Sequence, residues 1–292
     1  MTKEFNYRSE TETLAAATRA SLPGSFVELS DGVVHYEIAG PPDGEIIVLV
    51  PGISASYMTW DENFSALANA GCRVLRFDFY GRGYSDRPNV VYNVDLFDRQ
   101  ILELLAALKL TKSITLAGLS MGGAVAATFA ARHSECICRL ALIDPLVSPP
   151  ASPALRLLLA PGIGERVFDW FGDEILVGGQ LKDFYNPELV SEFQAQYRVP
   201  MKYRGFKRAI LSTIRNFPVW RIVQAYEQVG KADYAVMLLW GCYDKSIPFE
   251  MHRRVLELIP RAEFHAVDDA GHLPHREQPQ VFNRLLIEFL KR

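Results

Sequence analysis

The 292-residue chain predicts an α/β fold, a mostly parallel eight-stranded sheet with helices on both faces. Three observations predict it. Short apolar runs rich in β-formers alternate with longer helical patterns, as in successive β–α–β units. Gly118-Leu119-Ser120-Met121-Gly122 stands between one such run and a helix-favouring stretch. The alternation stops after residue 144 and resumes at Ala235, which marks a helical insertion after the sixth strand.

The elements follow in order. Residues 1–22 read as a polar leader with a short helix from Glu10 to Arg19, a frayed tail by default. A hairpin, Phe26–Leu29 and Val33–Ala39, closes around Ser30-Asp31-Gly32. Strands are expected near 46–50, 73–78, 113–118 and 138–143, with helices near 60–70, 94–109 and 121–133 between them. Residues 146–230 carry proline punctuation (Pro149, Pro150, Pro153, Pro161) and amphipathic pieces that read as helices. Then come a strand at 235–241, a helix at 249–259, a strand at 262–267 and a helix at 280–290. The domain plan is a leader (1–22), a core in two parts (23–145 and 231–292) and a helical cap (146–230). Placed after the sixth strand, that cap is expected to roof the carboxyl ends of the strands.

Composition narrows the function classes. The chain is 49% hydrophobic and 22% charged, with a mean hydropathy of +0.03, as expected of a globular protein. A net charge of −3 and no basic aromatic cluster argue against nucleic acid. No apolar run approaches the length of a membrane span, and the start of the chain lacks a basic-then-apolar signal pattern. Cys72, Cys136, Cys138 and Cys242 show no second pair at metal-binding spacing. Buried free thiols, no metal and a reducing, cytoplasmic setting are therefore expected.

Ser120 is the candidate nucleophile. A strand that turns sharply into a helix forces the serine at its tip into a strained conformation, and the flanking glycines remove the Cβ atoms that would collide there. The helix N-terminus behind it favours developing negative charge. A serine hydroxyl needs a base, and the base needs an orienting acid. Of six histidines, His35 and His265 lie inside expected strands, His133 at a helix end and His252 on a charged helix face. His272 follows Asp268-Asp269-Ala270-Gly271 in a loop just past an apolar strand, where it can reach across the top of a sheet. His275, in the same loop, is the runner-up. The acid is assigned to Asp244, in the turn after the apolar run Val236–Gly241, with Asp144 at the end of Leu140–Ile143 as its competitor.

These segments resemble the α/β-hydrolase superfamily, from about Phe26 to the C-terminus. Beyond Gly118–Gly122, Phe77-Asp78-Phe79-Tyr80-Gly81-Arg82-Gly83-Tyr84-Ser85 is similar to the family's D-x-x-G-x-G-x-S loop, and Ala270-Gly271-His272-Leu273-Pro274 to its A-G-H-x-P loop. Leu49-Val50-Pro51-Gly52-Ile53-Ser54-Ala55-Ser56 aligns with its oxyanion-loop strand and turn, with Pro51 where the family usually has histidine. The order Ser120, Asp244, His272 is the family's nucleophile–acid–base order. The resemblance implies an oxyanion hole built from the backbone N–H groups of Ile53 and Met121. Within the superfamily, the stretch from Gly52 to Trp60 and Tyr203-Arg204-Gly205-Phe206-Lys207-Arg208-Ala209 is most similar to bacterial carboxylesterases and monoacylglycerol-lipase-like enzymes.

The expected function is hydrolysis of a small carboxylic ester, of short-to-medium acyl chain or a monoacylglycerol, without a cofactor, by a monomer or homodimer. An apolar, aromatic cap suits acyl chains, and Trp170, Phe206 and Ile247 are the candidate substrate contacts. Two alternatives stand beside it. One is a C–C bond hydrolase of ring-cleavage products using the same three residues. The other is a ligand-binding protein on a hydrolase scaffold.

Overall fold

The computed structural model describes residues 5–147, 159–217 and 219–292, with the side chains of Val219 and Trp220 also outside the description. Pro149, Pro150 and Pro153 lie outside the described residues.

Eight strands form one sheet: β1 (Ser25–Leu29), β2 (Gly32–Ala39), β3 (Ile46–Val50), β4 (Arg73–Phe77), β5 (Ile114–Leu119), β6 (Ile137–Ile143), β7 (Ala235–Gly241) and β8 (Glu263–Val267). Their order is β1-β2-β4-β3-β5-β6-β7-β8. β1 and β2 pair antiparallel, as do β2 and β4, and every later pairing is parallel. The parallel strands are continuous apolar runs because both faces are covered. Alternation along β3 divides them: Ile46, Val48 and Val50 enter one core, Ile47 and Leu49 the other.

The first core is closed by α3 (Val94–Ala107), α4 (Met121–Arg132) and α8 (Val219–Lys231), through residues such as Phe97, Phe129 and Tyr226. The second is closed by α2 (Asp61–Asn69) and α11 (Pro279–Leu290), through Leu67, Phe282 and Leu286. Asn93 caps α3 by accepting the Leu96 amide at 3.0 Å. α9 (His252–Leu258) precedes β8, and α10 (Pro274–Glu277) is a single turn before α11.

Between β6 and β7 the described chain is helical: α5 (Ile163–Gly179), α6 (Val190–Arg198), α7 (Phe206–Asn216) and α8. Phe168, Phe193, Tyr197 and Phe206 from these helices join the second core beside Trp60, Leu119 and Leu273. Arg215 of α7 binds Glu165 of α5 and the carbonyl of Leu159, tying the start of the insertion to its middle.

The leader departs from expectation. Among the described residues of the leader only Ala16–Arg19 forms a helical turn, α1, while residues 5–15 are not helical and dock through Glu10 and Glu12. Glu12 forms a parallel bridge with Tyr203, donating to the carbonyl of Lys202 at 3.0 Å and accepting from Arg204 at 2.8 Å. The Glu10 carboxylate accepts the amides of Gly205 and Lys207, both at 2.6 Å, at the start of α7. A helix there would forfeit these bonds, so tertiary pairing overrides local propensity. The thiols are free as expected, but only Cys72 is buried; Cys136, Cys138 and Cys242 are half-buried.

Candidate active site

Parallel strands bring the candidate residues to one edge. Ser120, Asp144, Asp244 and His272 follow β5, β6, β7 and β8, neighbours in the sheet, at their carboxyl ends. Ser120 has φ 57° and ψ −122°, a region that a side-chain-bearing residue enters only at a cost. Its amide donates to the Ile143 carbonyl at 2.9 Å, while its own carbonyl accepts from Gly123 and Leu146. A Cβ on Gly122 would stand 2.3 Å from the Pro51 carbonyl oxygen and 2.6 Å from that of Val50. Only glycine lets the loop after β3 lie this close to the start of α4, so the stretches carrying Ile53 and Met121 converge beside Ser120. Met121 opens α4, and its N–H belongs to the first turn, where no helical carbonyl can take it.

Asp244 Oδ2 lies 2.7 Å from His272 Nδ1, and Asp244 Oδ1 accepts the amides of Ser246 (2.7 Å) and Ile247 (2.9 Å). A carboxylate facing Nδ1 fixes the proton there and leaves Nε2 as the basic nitrogen. Burial alone would lower the His272 pKa, but the charge and hydrogen bond of Asp244, aided by Asp183, outweigh it and leave it raised above 6.5. Among the described residues the Ser120 hydroxyl makes no hydrogen bond to His272. Such contacts are commonly loose without substrate. A strained serine, an oriented imidazole and free helix N–H groups can together carry out nucleophilic attack on a carbonyl.

His275, the runner-up, lies in the core. It is fully buried, pairs through Nε2 with the Thr59 hydroxyl at 3.1 Å and packs on Trp60 with ring centroids 4.5 Å apart. Burial, then the nearby Arg276 charge, hold its pKa well below 6.5, so it is a neutral core brace. Asp144 lies beside the pair, with its Oδ1 accepting the Gly241 amide at 2.9 Å.

The three candidate substrate contacts divide. Trp170 is 61% exposed and carries the Arg8 guanidinium 3.4 Å from its ring centroid. It follows buried Phe168 by two residues, which on a helix is about 200° around the axis. Phe206 is wholly buried against Tyr197 in the second core. The backbone of Ile247 binds Asp244 and Trp240 Nε1, and its half-buried side chain packs on the first core.

Two supporting residues had no sequence signal. Arg82 is fully buried, with no carboxylate partner among the described residues, and burial lowers its pKa to about 10. It donates to the carbonyls of Ile53 (2.7 Å) and Tyr80 (3.1 Å) and to the Thr213 hydroxyl of α7 (2.7 Å), joining the loop after β3 to the insertion. Asp183, in the insertion, accepts the His272 amide on its carbonyl and the Ser246 hydroxyl on its carboxylate. Nearby, Glu277 accepts the amides of Tyr185, Asn186 and Gly271.

This sheet order, with a serine turn and an Asp–His pair at its carboxyl edge, is the architecture of a hydrolase. The chain belongs to the alpha/beta hydrolase family, whose model matches residues 47–285. It is 27% identical over 287 residues to the AB hydrolase superfamily protein YfhM of Bacillus subtilis, spanning 91% of this chain and 97% of that protein. It is 28% identical over 261 residues to a 2-hydroxy-6-oxo-2,4-heptadienoate hydrolase of Pseudomonas putida, spanning 85% of this chain and 89% of that one. The enol-lactonase from Burkholderia xenovorans LB400 shares the fold, with a TM-score of 0.78 over 92% of this chain and all 100% of that chain at 21% identity. Among the described residues no helix is long and apolar enough to cross a membrane.

Proposed function

We propose that the protein is a serine hydrolase that cleaves small carboxylic esters through an acyl-enzyme. Ser120 attacks the carbonyl carbon, and His272 Nε2 takes the hydroxyl proton and returns it to the leaving alcohol. Asp244 holds the imidazole and stabilises its charged form, and the N–H groups of Ile53 and Met121 receive the developing oxyanion. Water then attacks the acyl-enzyme by the same relay and releases the acid. The observation that carries this reading is the positive-φ Ser120 on the same sheet edge as the 2.7 Å Asp244–His272 pair. Residues 146–230 act in it as a cap, and their aromatic content suits one short-to-medium acyl chain.

A second reading, C–C bond hydrolysis of a ring-cleavage product, is favoured by the likeness to the Pseudomonas putida hydrolase across 85% of this chain. One experiment separates the two. A series of p-nitrophenyl esters of rising chain length is compared with a 2-hydroxy-6-oxo-dienoate, and a fluorophosphonate probe reports on Ser120. Higher kcat/KM on butyrate or octanoate esters supports the ester reading, while preference for the dienoate replaces it. Absence of Ser120 labelling would sink both.

A further inference from the structure

Asp144 is a carboxyl group that the mechanism above leaves unused. It is fully buried, and its φ of 42° is a strained conformation kept by a residue other than glycine. Carboxyl oxygens of Asp144 and Asp244 and a ring nitrogen of His272 lie within 4.8 Å of one another. Each Asp244 oxygen already meets a donor: two amides at Oδ1 and the imidazole at Oδ2. Asp144 Oδ1 likewise accepts the Gly241 amide. Asp144 Oδ2 is different, because it is buried and no donor among the described residues reaches it.

Two ionised carboxyl groups this close, away from water, would repel strongly. The donors around Asp244 mark it as the charged member, so a shared proton belongs on the orphaned oxygen of its neighbour. We propose that Asp144 is a positioning residue that keeps one proton and donates it from Oδ2 to the Asp244 carboxylate, so that His272 faces a single, hydrogen-bonded negative charge. This rests on Asp244 being the acid of the reaction. The groups facing Asp144 agree with the assignment. Asp244 and Cys242 lie after β7, His272 after β8 and Glu277 in α10; the imidazole of His272 is already held by Asp244 Oδ2, and among the described residues no lysine or arginine joins these groups to favour an ionised Asp144. Burial, then the Asp244 charge, push its carboxyl well above the usual carboxylate range.

The proton tunes the base. A donor on Asp244 spreads its charge and weakens its hold on the imidazolium, so His272 becomes neutral at lower pH. Without that proton, a double negative charge would keep His272 protonated and idle.

The test uses infrared spectra and pH profiles of the whole enzyme. Wild type minus Asp144→Asn should show the C=O stretch of a protonated carboxyl near neutral pH, and its absence overturns the proposal. Asp144→Ala removes the donor and should lower kcat about 10-fold or more, while raising the midpoint of the acidic limb of kcat/KM by roughly half a unit to one unit. Asp144→Asn keeps an N–H donor and should restore both. A midpoint that falls in both variants would mean that Asp144 is ionised, and one that moves in neither would make its role structural only; both overturn the proposal. If Asp144→Ala fails to fold, the Asp144→Asn spectrum still decides. Asp244→Asn should lower kcat by about ten-thousandfold. A harmless Asp244→Asn would instead refute the acid assignment itself.

Discussion

The backbone carbonyl of Asp183 accepts the amide hydrogen of His272 at 2.8 Å, so the helical insertion grips the residue assigned here as the base. The grip depends on a close approach at the preceding residue. A Cβ on Gly271 would stand 2.7 Å from the Asp183 carbonyl oxygen and 2.9 Å from the Tyr185 nitrogen. Gly271→Ala should therefore push the insertion and the histidine loop apart. We expect a lower Tm and a loss in kcat/KM of up to about 100-fold, the scale of an ångström-sized misplacement. Wild-type kinetics in a folded Gly271→Ala protein would show that the contact does not govern the site.

Ser120→Ala removes the attacking oxygen and should lower ester turnover by on the order of a millionfold. The melting curve should stay close to wild type, because the backbone of residue 120 keeps its bonds to Ile143 and Leu146. Residual fluorophosphonate labelling of the variant would place the nucleophile elsewhere.

The pH dependence follows from His272. Its pKa is raised, so the folded protein binds that proton more tightly than an ordinary histidine does. A general base must be neutral, so kcat/KM should rise with pH through a midpoint above 6.5 and fall away on acidification. A midpoint below 6.5 would mean that burial outweighs the Asp244 charge.

Arg82→Met keeps much of the apolar stem and deletes three donated hydrogen bonds, leaving the carbonyls of Ile53 and Tyr80 and the Thr213 hydroxyl short of a partner. Losses of about 1–3 kcal/mol per buried group set the scale of the destabilisation. Because the Ile53 loop also loosens, kcat should fall by roughly 10- to 100-fold with little change in KM. Equal kcat with a lowered Tm would confine Arg82 to stability.

Acid should loosen the insertion through Glu165. Its hydrogen bond from Arg215 is the largest cause that lowers its pKa from 4.5 to about 2. A depressed carboxylate pKa stabilises the folded state above its unfolded value, and that stability is lost as pH falls from 4.5 toward about 2. Glu165→Gln should lower Tm at neutral pH and flatten its decline over that window. Parallel melting curves of both proteins through the window would rule the pair out as a source of acid sensitivity.

Much of the sheet and the site could be read in advance because each marker is local. Ser120 stands directly after an apolar run, and Asp244 and His272 stand in the short turns that follow β7 and β8; a run of β-formers ending in such a turn announces a strand's carboxyl end. What could not be read depends on distant partners. Nothing near Arg82 in sequence shows that it will meet Thr213, 131 positions on. Trp170 shows the same limit from the other side. An aromatic-rich helix announces that some rings are buried, but not that this one lies on the surface under the guanidinium of distant Arg8. The leader shows a third limit: the helix-forming pattern from Glu10 carries no sign of the bridge to distant Tyr203 that holds Glu12 out of a helix.

The Glu10 contacts bear on when the molecule can be finished. Their partners lie 195 and 197 positions further along the chain. On the ribosome Glu10 emerges well before its partners, and its carboxylate has no place to settle until residue 207 has been made. Domain-sized segments ordinarily fold as they emerge, and pairings across such separations form late. A strap made so long before its anchor is therefore among the last to be fastened, and premature arrest of translation anywhere before α7 leaves it loose.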